Sequence, residues 1–434
     1  MNLKTLFSFK RIQTLFEYSL CVTAFTLPLL RPHWNSKIVL LSILLWIPTV
    51  NLKEWIFKIK ENRIIWLFLT LFLLDIIGML RTENIAYGVK YIETKLPIFF
   101  FPLILLAPSD HLITKRSIEK ILISFLLGVL TVIGFYLFLI LKTTTTSDLS
   151  ISTLLHNRLS DLEDILHFRE RIDLHPSYLS LYISLSSLFL LLNLIGSKFS
   201  SRPAKYFQIF LLLILTLFQV WLNSRAGLIG FTIGVTLLLI LHQKTKGRIL
   251  TLLTFTCLLI LIVSFPVTKE RFINAPLRSI RGGFGVNPTD QESWPITFRF
   301  QIADCSLELL KDYHWLTGYG TGDFRDKMAH CYETKNYGWL VVREFDQHCE
   351  YFAQWHRHGI LGLLTFLLCL ILPLILAVRK GNWLYVCFIC LIIISAIPEN
   401  ILSAQKGVMF YALFNSLLFI GTAHVQEINE TKPF

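Results

Sequence analysis

The segment HCEYFAQWHRHGILG, residues 348–362, holds the residue types best suited to chemistry. A histidine with aromatic and polar neighbours stands at the junction of a long polar segment and an apolar run, and Gly359 and Gly362 follow it in a His–x10–Gly–x2–Gly spacing. A titratable base poised where a water-facing loop re-enters lipid points to chemistry on a membrane-anchored substrate. Arg225 is a second candidate. It lies in NSRAG (223–227), a turn between two apolar runs with almost no loop. An arginine there sits near lipid-phosphate depth, where it either snorkels to a headgroup or grips a lipid-linked phosphate with its planar fork. His348 has its own plain alternative, capping the helix that enters the membrane.

Elements that position these residues follow from composition. Of 434 residues, 54% are hydrophobic and 16% charged, well below the roughly one quarter charged in soluble domains. Mean hydropathy is +0.58. The chain is therefore expected to be all-α and polytopic, since backbone groups in lipid pair internally and runs of this length exclude a β-barrel. About twelve spans are predicted, at 14–30, 37–50, 64–80, 91–107, 119–141, 176–195, 206–222, 226–242, 249–266, 359–378, 382–397 and 408–421. They form one membrane domain over residues 1–434, with no cleavable signal peptide and no appended soluble domain expected.

Basic residues precede the first span (Lys4, Lys10, Arg11) and follow every even-numbered one, from Lys53, Lys58, Lys60 and Arg63 to Arg379 and Lys380. This places those loops and both termini in the cytoplasm. Much of the net charge of +12 is this signal. The segments 142–175 and 267–358 then fall outside, and the second is far longer than a turn needs. Residues 295–311 of it are predicted to form an amphipathic helix with Ser293 as cap and Pro295 in the first turn. Arg299 lies on that helix, where it either pairs with Asp304 or Glu308 or faces an anionic ligand. His175 precedes Pro176 at a span start, in a structural or an acceptor-binding role. Arg81 and Lys95 flank another outer loop, as contacts for lipid phosphate or as ordinary boundary cations.

Other motifs point elsewhere. GYGTGD (318–323) is read as a tight turn, because no βαβ unit surrounds it. Cys387 and Cys390 lie inside an apolar span, and His356 and His358, two apart on a helix, face different ways, so no metal site is expected. Cys305, Cys331 and Cys349 fall outside, where disulfides persist, and Cys331–Cys349 is the candidate staple.

Taken in order, NSRAG after an apolar span, Arg299 in PITFRFQIADCSLELL, LTGYGTGDF (316–324), His348 leading to GILGLLTF, and PENILSAQKG (398–407) resemble the O-antigen ligase and polymerase superfamily. HPSYLSLY (175–182) is similar to a segment of some members, and the resemblance covers roughly residues 170–425. One departure is Cys349, where the family usually has Asn, Ser or Gln after the histidine. The resemblance implies a glycan transferase of the cell inner membrane with about twelve helices and one long periplasmic loop. Its donor would be a glycan on undecaprenyl pyrophosphate. Its acceptor would be lipid A core in ligases and another lipid-linked glycan in polymerases.

The residues agree with that chemistry. A glycosyl pyrophosphate has a good leaving group and needs charge stabilisation more than a general acid. Arg225 and Arg299 are expected to grip the pyrophosphate without a metal, and His348 to activate or position the acceptor hydroxyl. No cofactor and no nucleic-acid partner is expected; membrane lipids are. A lipid-linked oligosaccharide flippase is the rival class. It would place charges near the bilayer midplane, whereas these spans are nearly charge-free apart from Asp75.

Overall fold

The computed structural model describes residues 9–107, 112–146, 172–196, 201–222, 224–242, 294–311, 313–342 and 346–430, with a few isolated positions between 256 and 277. Among these the chain is all-helical, as expected for a multi-pass membrane protein. A helix covers each predicted apolar segment except 249–266, which lies outside the described residues save for Thr256 and Ile260. Among the described residues, five helices are long and apolar enough to cross a membrane, and six if the bent pair Pro32–Thr49 and Leu52–Glu61 counts as one.

Local signals explain the helix ends. Asn62, Asn84 and Asn382 accept backbone N–H bonds from Ile64, Tyr87 and Tyr385, so a short polar residue starts each of these helices. Ser224 caps the Arg225–His242 helix through Gly227 N–H at 3.3 Å. Gly381, at φ +68°, ends the helix Glu350–Lys380 in the left-handed conformation and hands the chain to Trp383–Ser395. After Thr49 the chain bends by 109° into Leu52–Glu61, which buries no residue fully and carries Lys53, Lys58 and Lys60. The predicted basic loop is thus largely an amphipathic helix.

The core is centred on Lys115–Thr146, Pro176–Gly196, Trp383–Ser395 and Gln405–Glu430. Its aromatic heart sets Phe125 4.6 Å from Phe414 and Tyr182 4.9 Å from Phe410, centroid to centroid. The Arg202–Leu222 helix leaves Tyr206, Phe207, Phe210, Leu213 and Leu217 exposed, as a helix facing lipid does.

The long polar segment is helical in its described part, from residue 294 on. Helices Trp294–Leu309 and Phe324–Thr334 pack Phe298, Ile302, Met328 and Tyr332 into a small core of their own with Leu340. A disulfide joins Cys305 to Cys331, at a Cα separation of 5.8 Å. This corrects the expected Cys331–Cys349 staple. Cys349 starts another helix and its amide is held by Asn400, whereas Cys305 and Cys331 face each other across one hydrophobic core.

Candidate active site

The return of the chain toward the membrane begins with a strained residue. His348 has φ +46°, a left-handed conformation that residues with a Cβ adopt at a cost. Its surroundings hold it there. The Cys349 N–H donates to Asn400 Oδ1 at 2.7 Å, and Glu350 N–H to the Ala396 carbonyl at 2.9 Å. The buried Glu350 carboxylate accepts from Leu402 N–H at 2.8 Å and from Gln354 Nε2 at 2.7 Å. The segment 396–404, between two apolar helices, is thereby fastened to the start of the Glu350 helix.

This fastening sets His348 against Glu399. Nδ1 lies 3.7 Å from Glu399 Oε2. The other carboxylate oxygen accepts from Ser177 Oγ at 3.0 Å and faces Arg299 Nη2 at 3.9 Å. Arg299 thus points to Glu399 and not to its own helix, where Asp304 pairs with Lys335 and Glu308 with Lys311. Burial works to raise the Glu399 pKa, but contact with His348, then the charges of His175 and Arg299, hold it at about 2. His175 is exposed, and its Nδ1 accepts the Ser177 N–H at 3.3 Å, so it also shapes the helix start. Three predicted residues, His348, Arg299 and His175, therefore meet around one carboxylate.

Arg225 stands half-buried in the first turn of its helix. Gly227 lets that turn approach the Pro176 helix: a Cβ there would lie 1.6 Å from Ser180 Oγ. Ser180 is three residues, about one helical turn, beyond Ser177. The starts of the Pro176, Arg225 and Glu350 helices therefore gather near the same cluster. The positive ends of these helix dipoles add to the cationic side chains and favour an anion there.

The glycines after His348 are a folding device. Gly359 has φ +62° inside an otherwise helical run and divides it into two helices. The break frees two carbonyls, and the GYG turn fills them: Tyr319 N–H donates to His356 O at 2.7 Å and Gly320 N–H to Arg357 O at 3.0 Å. A Cβ at Gly359 would lie 2.0 Å from the Leu316 carbonyl, and one at Gly362 2.4 Å from the Gln354 carbonyl. The first helix therefore folds back over the second.

The next residues dock the unit that the helices Trp294–Leu309 and Phe324–Thr334 build. Asp323 accepts from the backbone N–H of Glu83 at 2.9 Å and of Asn84 at 2.7 Å, and Thr321 Oγ1 donates to the Asp75 carbonyl at 2.6 Å. Arg81 joins this seam by donating to Thr317 O at 3.1 Å. Lys95 is 1% exposed and packs 4.8 Å from the centroid of the Tyr91 ring. His358 Nε2 meets Asp75 Oδ1 at 2.9 Å, while His356 bonds Gln347 and Ser306 O, so the two histidines face different elements. Arg357, also 1% exposed, lies between Tyr91 and Phe324 at 4.0 and 4.2 Å from the ring centroids.

Sequence reasoning had not selected Glu399 or Ser177. Both lie in quoted segments, PENILSAQKG and HPSYLSLY. The available signal for Glu399 was a lone carboxylate in a short turn between two apolar helices.

In comparison with known families, residues 210–367 match the family described as O-antigen ligase. That stretch includes Arg225, Arg299 and His348, whereas His175 and Glu399 lie outside it. No curated protein matches the chain.

Proposed function

Because residues 210–367 belong to the O-antigen ligase and polymerase superfamily, we propose that the chain transfers a glycan from undecaprenyl pyrophosphate to a lipid A core acceptor at the periplasmic face of the inner membrane. The observation that carries this reading is the convergence of His348, Arg299 and His175 on Glu399, beside the Arg225 helix start. The Cys305–Cys331 disulfide supports an oxidising, outer location for the cluster.

In this reading Arg225 and Arg299 hold the pyrophosphate. The 3.9 Å separation of Arg299 from Glu399 is a loose pair, which leaves its fork available to phosphate oxygens. His348 turns Nδ1 to Glu399 and takes the acceptor hydroxyl proton on Nε2. The hydroxyl oxygen bonds to the anomeric carbon as the bond from that carbon to the pyrophosphate oxygen breaks. Undecaprenyl pyrophosphate leaves with the bonding pair, and the anomeric configuration inverts. Glu399 stabilises the imidazolium that forms, and the arginines stabilise the charge on the leaving group.

The test is a strain lacking this protein, analysed for its lipopolysaccharide ladder and its lipid-linked glycans. Loss of the ladder with long glycan retained on undecaprenyl pyrophosphate outside the cell is the expected result. Single repeat units on lipid A core, with long chains gone, would identify a polymerase instead. Donor trapped on the cytoplasmic side would identify a flippase and overturn the transferase reading.

A further inference from the structure

A cavity of about 630 Å³ opens beside the Glu399 cluster and none of the functional residues named so far lines it. Its size falls within the usual range of small-molecule sites, about 300–1,000 Å³. Four separated segments build it: the turn at Arg31–Ser36, the helix face at Lys90–Thr94, Asp173, and Gln405. By the pattern of basic loops, all four belong to the outer side of the membrane.

Three observations suggest its ligand. Arg31 and Lys90 are balanced by Glu93 and Asp173, so the lining carries no net charge with His33 neutral. A pyrophosphate would want an excess of cations, and neither Arg225 nor Arg299 lines the cavity. The Ser36 and Thr94 hydroxyls donate to the carbonyls of Pro32 and Lys90, and the Gln405 amide donates to Ser36 Oγ, so these groups face the cavity as acceptors, beside two carboxylates, while Arg31 and Lys90 supply donors. That array matches a polyhydroxylated ligand, whose hydroxyls both donate and accept.

The cavity also lies within reach of the reaction. Asp173 is two residues from His175, a span of at most about 7 Å along the chain. Gln405 follows the 396–404 segment that carries Glu399. Asp173 itself has φ +52°, a left-handed conformation that turns the chain between the cavity and His175. Behind Gln405, the Lys406 ammonium donates to the carbonyls of Leu27 and Leu30 and ties the first two helices to this wall.

We propose that this cavity is the acceptor subsite and binds sugar residues of the acceptor glycan, presenting a hydroxyl to His348. The proposal rests on the transferase reading above. It assigns the acceptor to the side of Lys90, Thr94 and Asp173, and the donor pyrophosphate to the side of the arginines.

The experiment uses the full chain in proteoliposomes. The donor is lipid-linked glycan, and the acceptor is core lipopolysaccharide, both extracted from a strain lacking this protein. Thr94→Trp, at a partly exposed position, fills the cavity, and Glu93→Gln removes a single charge and Gln405→Ala a single amide should the tryptophan variant fail to fold. The expected result is an acceptor KM raised about tenfold or more by Thr94→Trp and a few-fold by the others, with donor KM changed less than twofold. Calorimetric binding of water-soluble core oligosaccharide, released by mild acid, should weaken in parallel without any need for catalysis. An unchanged acceptor KM and unchanged binding in all three variants overturn the proposal while leaving the transferase reading intact. A raised donor KM alone would assign the cavity to the donor glycan and equally overturn it. Wild-type protein that neither binds the oligosaccharide nor uses the acceptor also overturns it. The donor trapped in the deletion strain then decides independently whether the transferase reading survives.

Discussion

Glu399→Gln is the most informative single change. The amide keeps the shape of the side chain and can still accept from Ser177, but it removes the charge that gathers His348, Arg299 and His175. At 3.7 and 3.9 Å, two unit charges attract by about 4 kcal/mol for an effective dielectric constant of 20 and by about 1 kcal/mol in bulk water. The side chains of His348 and Arg299 are 33% and 41% exposed, so each pair falls between those limits. A net loss of about 2–3 kcal/mol is expected, a fall in kcat/KM of roughly 30–150-fold. His348→Ala should cost roughly 10²–10³-fold, on the scale of a lost transition-state contact. Because part of the carboxylate's effect runs through the histidine, the double variant should lose less than the product of the two single losses. The assay is transfer from lipid-linked glycan in proteoliposomes, with protein amount checked by non-reducing gel. Full activity in Glu399→Gln would refute the reasoning, as would a double variant whose losses simply multiply.

Other predictions follow from the same geometry. Gly359→Ala places a methyl group 2.0 Å from the Leu316 carbonyl at φ +62°, so about 2 kcal/mol or more of stability should be lost, read as a lower melting temperature in detergent. Cys305→Ser and Cys331→Ser should each destabilise by about 2–4 kcal/mol and abolish the gel shift on reduction, whereas Cys349→Ser should leave that shift intact. Glu399 has a folded pKa of about 2 against an ordinary value of 4.5. Its contribution is therefore fully present above about pH 4.5 and is lost as pH falls through 2, an effect of about 3 kcal/mol at about 1.4 kcal/mol per pH unit. Glu399→Gln should flatten the pH dependence of melting in that window.

Basic residues carried most of what could be read from the sequence. Arg299 stood out because the positive-inside rule does not account for an arginine in a segment it assigns to the outside, and His348 because a titratable base stands where that segment meets an apolar run. Their partner did not stand out, because Glu399 is one carboxylate in a turn, and only the bonds of Cys349, Glu350 and Leu402 to that turn bring it to the histidine. Gly359 was legible as a spacing but not as a hinge, since the GYG turn that completes the broken helix lies about forty residues earlier. The cysteine pairing failed for the same reason: Cys305 and Cys331 are neighbours only through the small core that the long segment builds. Apolar runs, by contrast, located helices directly, because length and hydropathy are properties of the local chain.

The small unit built by the Trp294–Leu309 and Phe324–Thr334 helices is best understood as a carrier for Arg299. A guanidinium on a free loop of this length would lose the pre-organisation that charge stabilisation requires, since its side chain and backbone would both have to be ordered at each encounter. Here the ordering is built in at three points. The disulfide and its small core fix the Arg299 helix to Phe324–Thr334. Asp323 and Thr321 dock that unit on the Asp75–Asn84 corner. The GYG turn closes on the kink at Gly359, eleven residues from His348. The same break that exposes the carbonyls of His356 and Arg357 thus lets this unit register itself against the helix that follows His348. On this argument the His–x10–Gly–x2–Gly spacing acts in the reaction only through position, so changes at Gly359 should lower kcat in proportion to the disorder they introduce around Arg299.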